Sequence, residues 1–326
     1  MNKILITGSS GLVGSEAVKF FREKGWETIG IDNNTRFTLF GTPKKETELD
    51  LDIRNYSDID ETFRKYKFDA IIHAAAQPSH DWSATDPRTD FFINAYGTLN
   101  LLEATRLHCP DAVFVYVSTD KVYGESIGEE TCERETRFDG PLWDEKVGLD
   151  FAGKRSPFGC SKLAGDLYTQ EYGNYFGIKT ACFRPGCITG RNHEGSEYHG
   201  FLAYLVQCIR EGKPYKIFGY KGKQVRDQIH AYDLVSAFWE FIQNPKIGAV
   251  YNIGGGPERS TSILEAIKVI EEKTGKKAIT EYMEQERKGD RIWDVHDVTK
   301  FKNDYPNWEY KYSLDDIFND LCINIE

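Results

Sequence analysis

Glycines 8, 11 and 14, Asp32 and the polar run Ser118-Thr119-Asp120-Lys121 are the residues whose types and spacing can do chemistry. The stretch Thr7-Gly8-Ser9-Ser10-Gly11-Leu12-Val13-Gly14 sets a glycine at every third position between an apolar run and a helical pattern. A dinucleotide pyrophosphate must approach the backbone more closely than a β-carbon permits, and the first amides of a helix bind its charge. The pattern therefore reads as a nucleotide-binding turn; its alternative is a tight turn without a ligand. Asp32 follows a second apolar run, Glu27 to Ile31, where a carboxylate accepts from ribose hydroxyls and repels a 2′-phosphate. NAD is thus expected rather than NADP, with Arg36 as the contrary charge nearby.

The elements that position these residues alternate. Lys3 to Ile6 reads as a buried strand, and Val13, Ala17, Phe20 and Phe21 form one apolar helical stripe ending at Lys24-Gly25. Leu49 to Ile53 reads as a short strand end flanking an adenine. A helix over 58–67 follows, then the strand Asp69 to Ala76, whose terminal alanines let a cofactor lie against the backbone. The cofactor contacts expected from this reading are Gly8, Ser10, Gly11, Leu12, Val13, Gly14, Asp32, Asn33, Arg36, Asp52, Ile53, Ala74, Ala75 and Ala76. Helical spacing covers 91–107, a strand 112–117, a long polar connection 125–155, a helix 156–176 and a strand 178–183. Alternating strands and helices imply an α/β fold with a doubly wound parallel sheet. His73 and His80 read as packed or surface histidines rather than ligands.

Past Gly186 the alternation breaks. The expected organisation is a nucleotide-binding domain over 1–185 to which 225–254 returns, and a smaller mixed α/β substrate domain from 186–224 and 255–326. A net charge of −10 argues against bulk nucleic-acid binding. No apolar run reaches membrane-span length, and the first strand begins at residue 3, leaving no room for a leader; a cytoplasmic location is expected. Seven cysteines without a C-x-x-C pair argue against a disulfide framework or a structural metal site, and no metal is expected.

Several motifs together resemble the extended short-chain dehydrogenase/reductases that act on nucleotide sugars. They are the glycine spacing with Asp32, Thr119 followed by Val122-Tyr123-Gly124, Lys162, Gln224-x-Arg226-Asp227 and Asn252-Ile253-Gly254-Gly255. The run Asn94 to Ala104, Gly222 to Asp227 and the tail Tyr305-Pro306-Asn307-Trp308 are most similar to the epimerases of CDP-linked deoxyhexoses within that family. The likeness covers essentially the whole chain. It implies a Rossmann domain, tightly held NAD and transient hydride removal from a sugar carbon. It also implies a homodimer paired through the helices at 91–107 and 161–176. Carried over by position, Thr119 matches the hydroxyl that hydrogen-bonds the reacting oxygen, and Lys162 the lysine that holds the nicotinamide ribose. Arg226, Arg287, Arg191 and His193 fall where the nucleotide sugar is bound.

One departure stands at Phe158, where the family's Y-x-x-x-K pattern has its tyrosine base. Phenylalanine has no ionisable group, and a general base typically contributes about 10²- to 10⁴-fold. Three readings stay open: a deliberate substitution, a different base among Asp120, Lys121, Tyr123 and Cys160, or binding without turnover. Lys121 also replaces the glutamate that dehydratases of the family carry after the catalytic threonine and aspartate. Dehydration at carbon 4 is therefore the lesser alternative to epimerisation.

Overall fold

The structure is a computed structural model and describes residues 1–35, 47–124, 130–145, 154–190, 200–286 and 290–323. The chain divides into two compact units. One comprises Met1–Val122, Ser156–Arg184 and Leu234–Tyr251; the other comprises Tyr123–Arg155, Pro185–Asp233 and Asn252–Glu326.

The first unit is built on a seven-stranded sheet. Its strands are β1 (Lys3–Thr7), β2 (Glu27–Asp32), β3 (Leu49–Asp50), β4 (Ala70–His73), β5 (Val113–Val117) and the strands Lys179–Pro185 and Ala249–Ile253. In space they run Ala249–Ile253, Lys179–Pro185, β5, β4, β1, β2, β3. Each pairing from Lys179–Pro185 through β5, β4, β1 and β2 to β3 is parallel. The chain goes outward from β1 to β3 and then returns to β4 on the other side, so the order reverses between β1 and β4. A ligand crevice opens at the carboxyl ends of the strands at such a reversal. The interior of β1, β4 and β5 is apolar because helices cover a parallel sheet on both faces. One core, centred on Leu5, Ile71, Phe114, Leu101 and Phe63, fills one such face.

Helix α1 (Leu12–Glu23) buries the Val13, Ala17, Phe20 and Phe21 stripe, as its spacing predicts. The helical span expected over 91–107 is interrupted: Pro87–Phe91 passes through a single wide π-turn, Phe92–Tyr96, into Gly97–His108. Such one-turn widenings concentrate at functional sites.

The second unit has its own core, in which Leu205, Val206, Ile209, Ile217, Ile270 and Phe318 meet. Here one expectation is corrected. The return of 225–254 to the main sheet holds only for its later part, since Ala249–Ile253 alone joins that sheet. Val225–His230 instead pairs with Cys187–Thr189, Ser260–Ser262 and Trp293–Asp294. All six of its residues are buried, a pattern that any interior strand gives, so the sequence does not name its partners.

Candidate active site

The glycine turn is dictated by steric contact. Gly8 has φ +70°, and a β-carbon there would lie 2.7 Å from the Ala75 amide nitrogen. A β-carbon on Gly14 would meet the Gly8 carbonyl oxygen at 2.0 Å. These two glycines let α1 and the stretch after β4 close on the end of β1. Gly11 precedes the first turn of α1, and no side chain caps that helix or places an acid in its first turn. Its leading amides stay available to a phosphate, and Leu12 and Val13 lie within them.

Asp32 ends β2 and accepts from the Ser10 amide (3.0 Å) and the Asn34 amide (2.7 Å), which fixes its carboxylate beside the glycine turn. Asn33 donates to Asp52 at 2.9 Å. Burial raises the Asp52 carboxyl, but hydrogen bonds from Arg54 and Asn33 outweigh it and hold the group below its ordinary range. Among the described residues the buried Ser9 hydroxyl and the Asn34 side-chain nitrogen Nδ2 have no partner. A polar ligand with ribose and phosphate oxygens fits this donor set and the glycine cradle. Ile53 differs: it is buried in the core, and a β-carbon on Gly97 would strike its Cδ1 at 2.6 Å. Ala74 and Ala75 are half-buried and Ala76 exposed after β4. Arg36 lies outside the described residues.

At the end of β5, Thr119 Oγ1 donates to Asp120 (3.0 Å), and Asp120 pairs with Lys121 (2.7 Å). Lys162 is 3% exposed on the helix Pro157–Phe176 and donates to the Val117 carbonyl at 2.6 Å, its ammonium lying 4.1 Å from the Tyr116 ring. Burial lowers its pKa to about 7, with the Asp166 charge pulling the other way. Asp166 is itself locked by Arg184 (2.7 Å) and Ser118 (2.5 Å).

Phe158 lies one helical turn before Lys162, so the two share a face, and its ring is 7% exposed. Cys160 falls about 200° around the helix from Phe158 and is exposed. Tyr123, in the second unit, donates its hydroxyl to Asn252 at 2.7 Å. His73 is buried between Thr7 (2.8 Å) and Thr98 (2.9 Å), and burial keeps it well below its ordinary pKa. It is a structural histidine. His80 is different, since its ring packs edge-on against Phe158 with centroids 4.9 Å apart. Its place in a short polar stretch, Gln77 to Asp81, has no periodicity to mark it.

In the second unit, Arg226 lines a cavity of ≈ 90 Å³ with Gln224, Tyr204, Tyr215, Phe201 and Asp290. Its guanidinium is ion-paired with Asp290 and donates to the Arg291 carbonyl. Burial works against the charge, but Asp290 and Asp294 keep it protonated. The Gln224 side-chain oxygen is buried there without a partner among the described residues. Arg191, His193 and Arg287 lie outside the described residues.

Residues 4–254 match the model of the NAD dependent epimerase/dehydratase family. The CDP-paratose 2-epimerase of Salmonella typhi is 37% identical over 287 residues, 83% of this chain and 84% of its own length. The dTDP-glucose 4,6-dehydratase of Neisseria meningitidis serogroup B is 26% identical over 336 residues, 97% of this chain and 86% of its own. A solved structure of a Bacillus cereus UDP-glucuronic acid 4-epimerase superposes with a TM-score of 0.78 at 25% identity, covering 98% of each chain. That structure is a tyrosine-to-phenylalanine mutant in complex with UDP-4-deoxy-4-fluoroglucuronic acid and NAD. The glycine cradle, Asp32 and the uncapped α1 already suit a dinucleotide, and with the family match they give one conclusion: the chain belongs to the NAD-dependent epimerase/dehydratase family, and NAD is its cofactor.

Proposed function

We propose that this protein is an NAD-dependent nucleotide-sugar epimerase whose substrate is a CDP-linked deoxyhexose. The observation that carries the reading is Lys162, buried one turn after residue 158 and anchored on the last carbonyl of β5. There a lysine orients the ribose of a nicotinamide nucleotide. When bound, NAD supplies a reversible hydride acceptor. The chain's own residues do the rest: the α1 amides take the pyrophosphate, Asp32 the adenosine ribose hydroxyls, and the Thr119 hydroxyl hydrogen-bonds the reacting sugar oxygen. Arg226 and Arg287 neutralise the diphosphate of the sugar nucleotide, and Arg191 and His193 border its sugar or base. Asp290 must yield part of its hold on Arg226 for that.

The likeness to CDP-paratose 2-epimerase favours a CDP-linked deoxyhexose over other nucleotide sugars. Dehydratases are also relatives, but the residue after Asp120 is here Lys121, ion-paired with it, in place of the glutamate expected of a dehydratase. A Bacillus cereus relative carrying a tyrosine-to-phenylalanine change was captured with NAD and a nucleotide-sugar analogue, which supports binding in a chain with phenylalanine at 158. The exposed apolar side chains Phe91, Phe92, Tyr96, Leu167, Tyr168 and Tyr175 on the helices at 91–107 and 161–176 support a homodimer.

The test is incubation with CDP-, UDP-, GDP- and dTDP-linked sugars, following NADH absorbance and product stereochemistry. Epimerisation with preference for a CDP-linked deoxyhexose is expected, from a particle of twice the 37.3 kDa chain mass by light scattering. Loss of water from the sugar would replace epimerase with dehydratase. Tight NAD without turnover of any sugar would leave a binding protein.

A further inference from the structure

With phenylalanine at 158, the proton released by the substrate hydroxyl must go to another group on the same face. The alternatives on the sequence are poorly placed or engaged. Cys160 is on the opposite side of its helix, Lys121 and Asp120 hold each other, Tyr123 donates to Asn252, and Lys162 donates to Val117.

His80 has the position. It opens the helix His80–Thr85 against the Phe158 ring, and its Nδ1 lies 2.7 Å from Ser156 Oγ. Ser156 is itself fixed, because its Oγ accepts from the Gly159 amide at 3.2 Å as the cap of the Pro157–Phe176 helix. When Nδ1–H donates to this oxygen, Nε2 carries the lone pair. Imidazole is the side chain that most readily exchanges a proton near neutrality.

The support behind His80 is preorganised. Asn94, in the π-turn Phe92–Tyr96, donates to the Gln77 carbonyl (3.0 Å) and accepts from the Gln77 amide (2.9 Å), clamping the loop that leads to His80. The same Asn94 amide donates to Ser161 Oγ at 3.1 Å, and Ser161 donates to the Phe158 carbonyl at 3.0 Å. Gln77 also donates to the Ser79 carbonyl (2.9 Å) and to Asp90 (2.8 Å). One buried amide thus sets both the His80 loop and the Phe158 turn. A widened helical turn carrying such a network is what a site needs to hold a base within a fraction of an ångström.

We propose that His80, oriented by Ser156, is the proton acceptor and donor of the reaction, in the role the family's phenol fills. This rests on the epimerase reading. The substrate O–H bond breaks and an N–H bond forms on the imidazole as C=O forms, with the hydride from carbon taken up by the oxidised NAD of the family. The return step reverses both, so no reductant or oxidant is consumed. The charged and titratable groups on the packed elements are Asp81 on His80's own helix, Arg88 and Asp90 on Pro87–Phe91, and Cys160, Lys162, Asp166, Tyr168, Glu171, Tyr172 and Tyr175 on Pro157–Phe176.

The first test needs no substrate. The seven histidines are isotopically labelled, and the His80 titration midpoint is read by NMR with NAD⁺ and with NADH bound. The cationic nicotinamide of NAD⁺ is expected to lower that midpoint by about 1 unit relative to NADH. Equal midpoints in the two forms overturn the proposal, whatever the enzyme's turnover. In kinetics, His80→Asn is expected to lower kcat by about 10²- to 10⁴-fold, with NAD affinity retained and the acidic limb of kcat/KM lost. Near-normal turnover with that limb intact overturns it. Ser156→Ala keeps the imidazole and is expected to move the His80 midpoint and the acidic limb together; a limb that stays put counts against His80. If the wild type epimerises nothing, the epimerase reading fails, and the NAD⁺/NADH comparison still decides whether His80 faces the nicotinamide.

Discussion

The glycine turn after β1 and the helical turn at Phe158 are both built tightly, but they are constrained by different things. At Gly14 the backbone leaves 2.0 Å between a hypothetical β-carbon and the Gly8 oxygen, so the fold itself forbids any other residue. At Phe158 the ring is nearly buried and packs edge-on against His80, a contact between side chains rather than against backbone. The cofactor end is locked by geometry that stability enforces. At the Phe158 end, side chains rather than backbone set the packing, so on the proposed reading its chemistry is free to change while its ring contact stays.

The sharpest way to break this contrast is Gly14→Ala. Overpacking against backbone typically costs about 1–3 kcal/mol, occasionally more, and here the struck atoms belong to the turn that receives the pyrophosphate. Loss of NAD binding by calorimetry, with a lowered melting temperature, is expected. Normal NAD affinity in this variant would mean the turn has room that its geometry denies.

Next in size is the buried lysine. The Lys162 pKa falls from 10.5 to about 7 through burial, opposed by Asp166. Below pH 7 the residue is protonated in both folded and unfolded chains, and its full burial penalty is present. Between about 7 and 10.5 the unfolded chain keeps the proton that the folded chain has released. The contribution of Lys162 to stability therefore rises with pH across that window, at most about 1.4 kcal/mol per unit. Lys162→Met lacks this term, so the stability of wild type relative to the variant, both without cofactor, is expected to grow between pH 7 and 9. Denaturant unfolding at several pH values measures it; a flat difference would show that the lysine stays charged in the fold.

The same contrast explains what was legible in the sequence. The strand, glycine turn, helix and Asp32 announce themselves because local geometry dictates residue type at fixed spacing, and β1, α1 and β2 fall where that spacing puts them. Which sheet Val225–His230 joins is not legible, because a strand buried along its whole length carries no record of its partners. His80 reads from the sequence as a packed or surface histidine. Its contacts with Ser156, 76 residues away in sequence, and with the Phe158 ring are ones that no local pattern carries. Asn94 was visible only as part of a family-like run; the reciprocal bonds to Gln77 that give it a purpose appear once the π-turn is folded.

The smallest effect on stability and the finest probe of the comparison is Phe158→Tyr. Adding a hydroxyl to a ring that packs against side chains rather than backbone is expected to change unfolding free energy by about 1 kcal/mol or less. If His80 carries the proton, the new phenol competes for the same substrate oxygen without supplying a missing function, and turnover is expected to stay within tenfold of wild type. A gain near the 10²- to 10⁴-fold range that general bases contribute would locate the missing group at residue 158 and remove His80 from the mechanism. A destabilisation of several kcal/mol would instead show that the pocket is shaped for phenylalanine alone, and the distinction between a locked cofactor turn and an exchangeable proton-transfer turn would be lost.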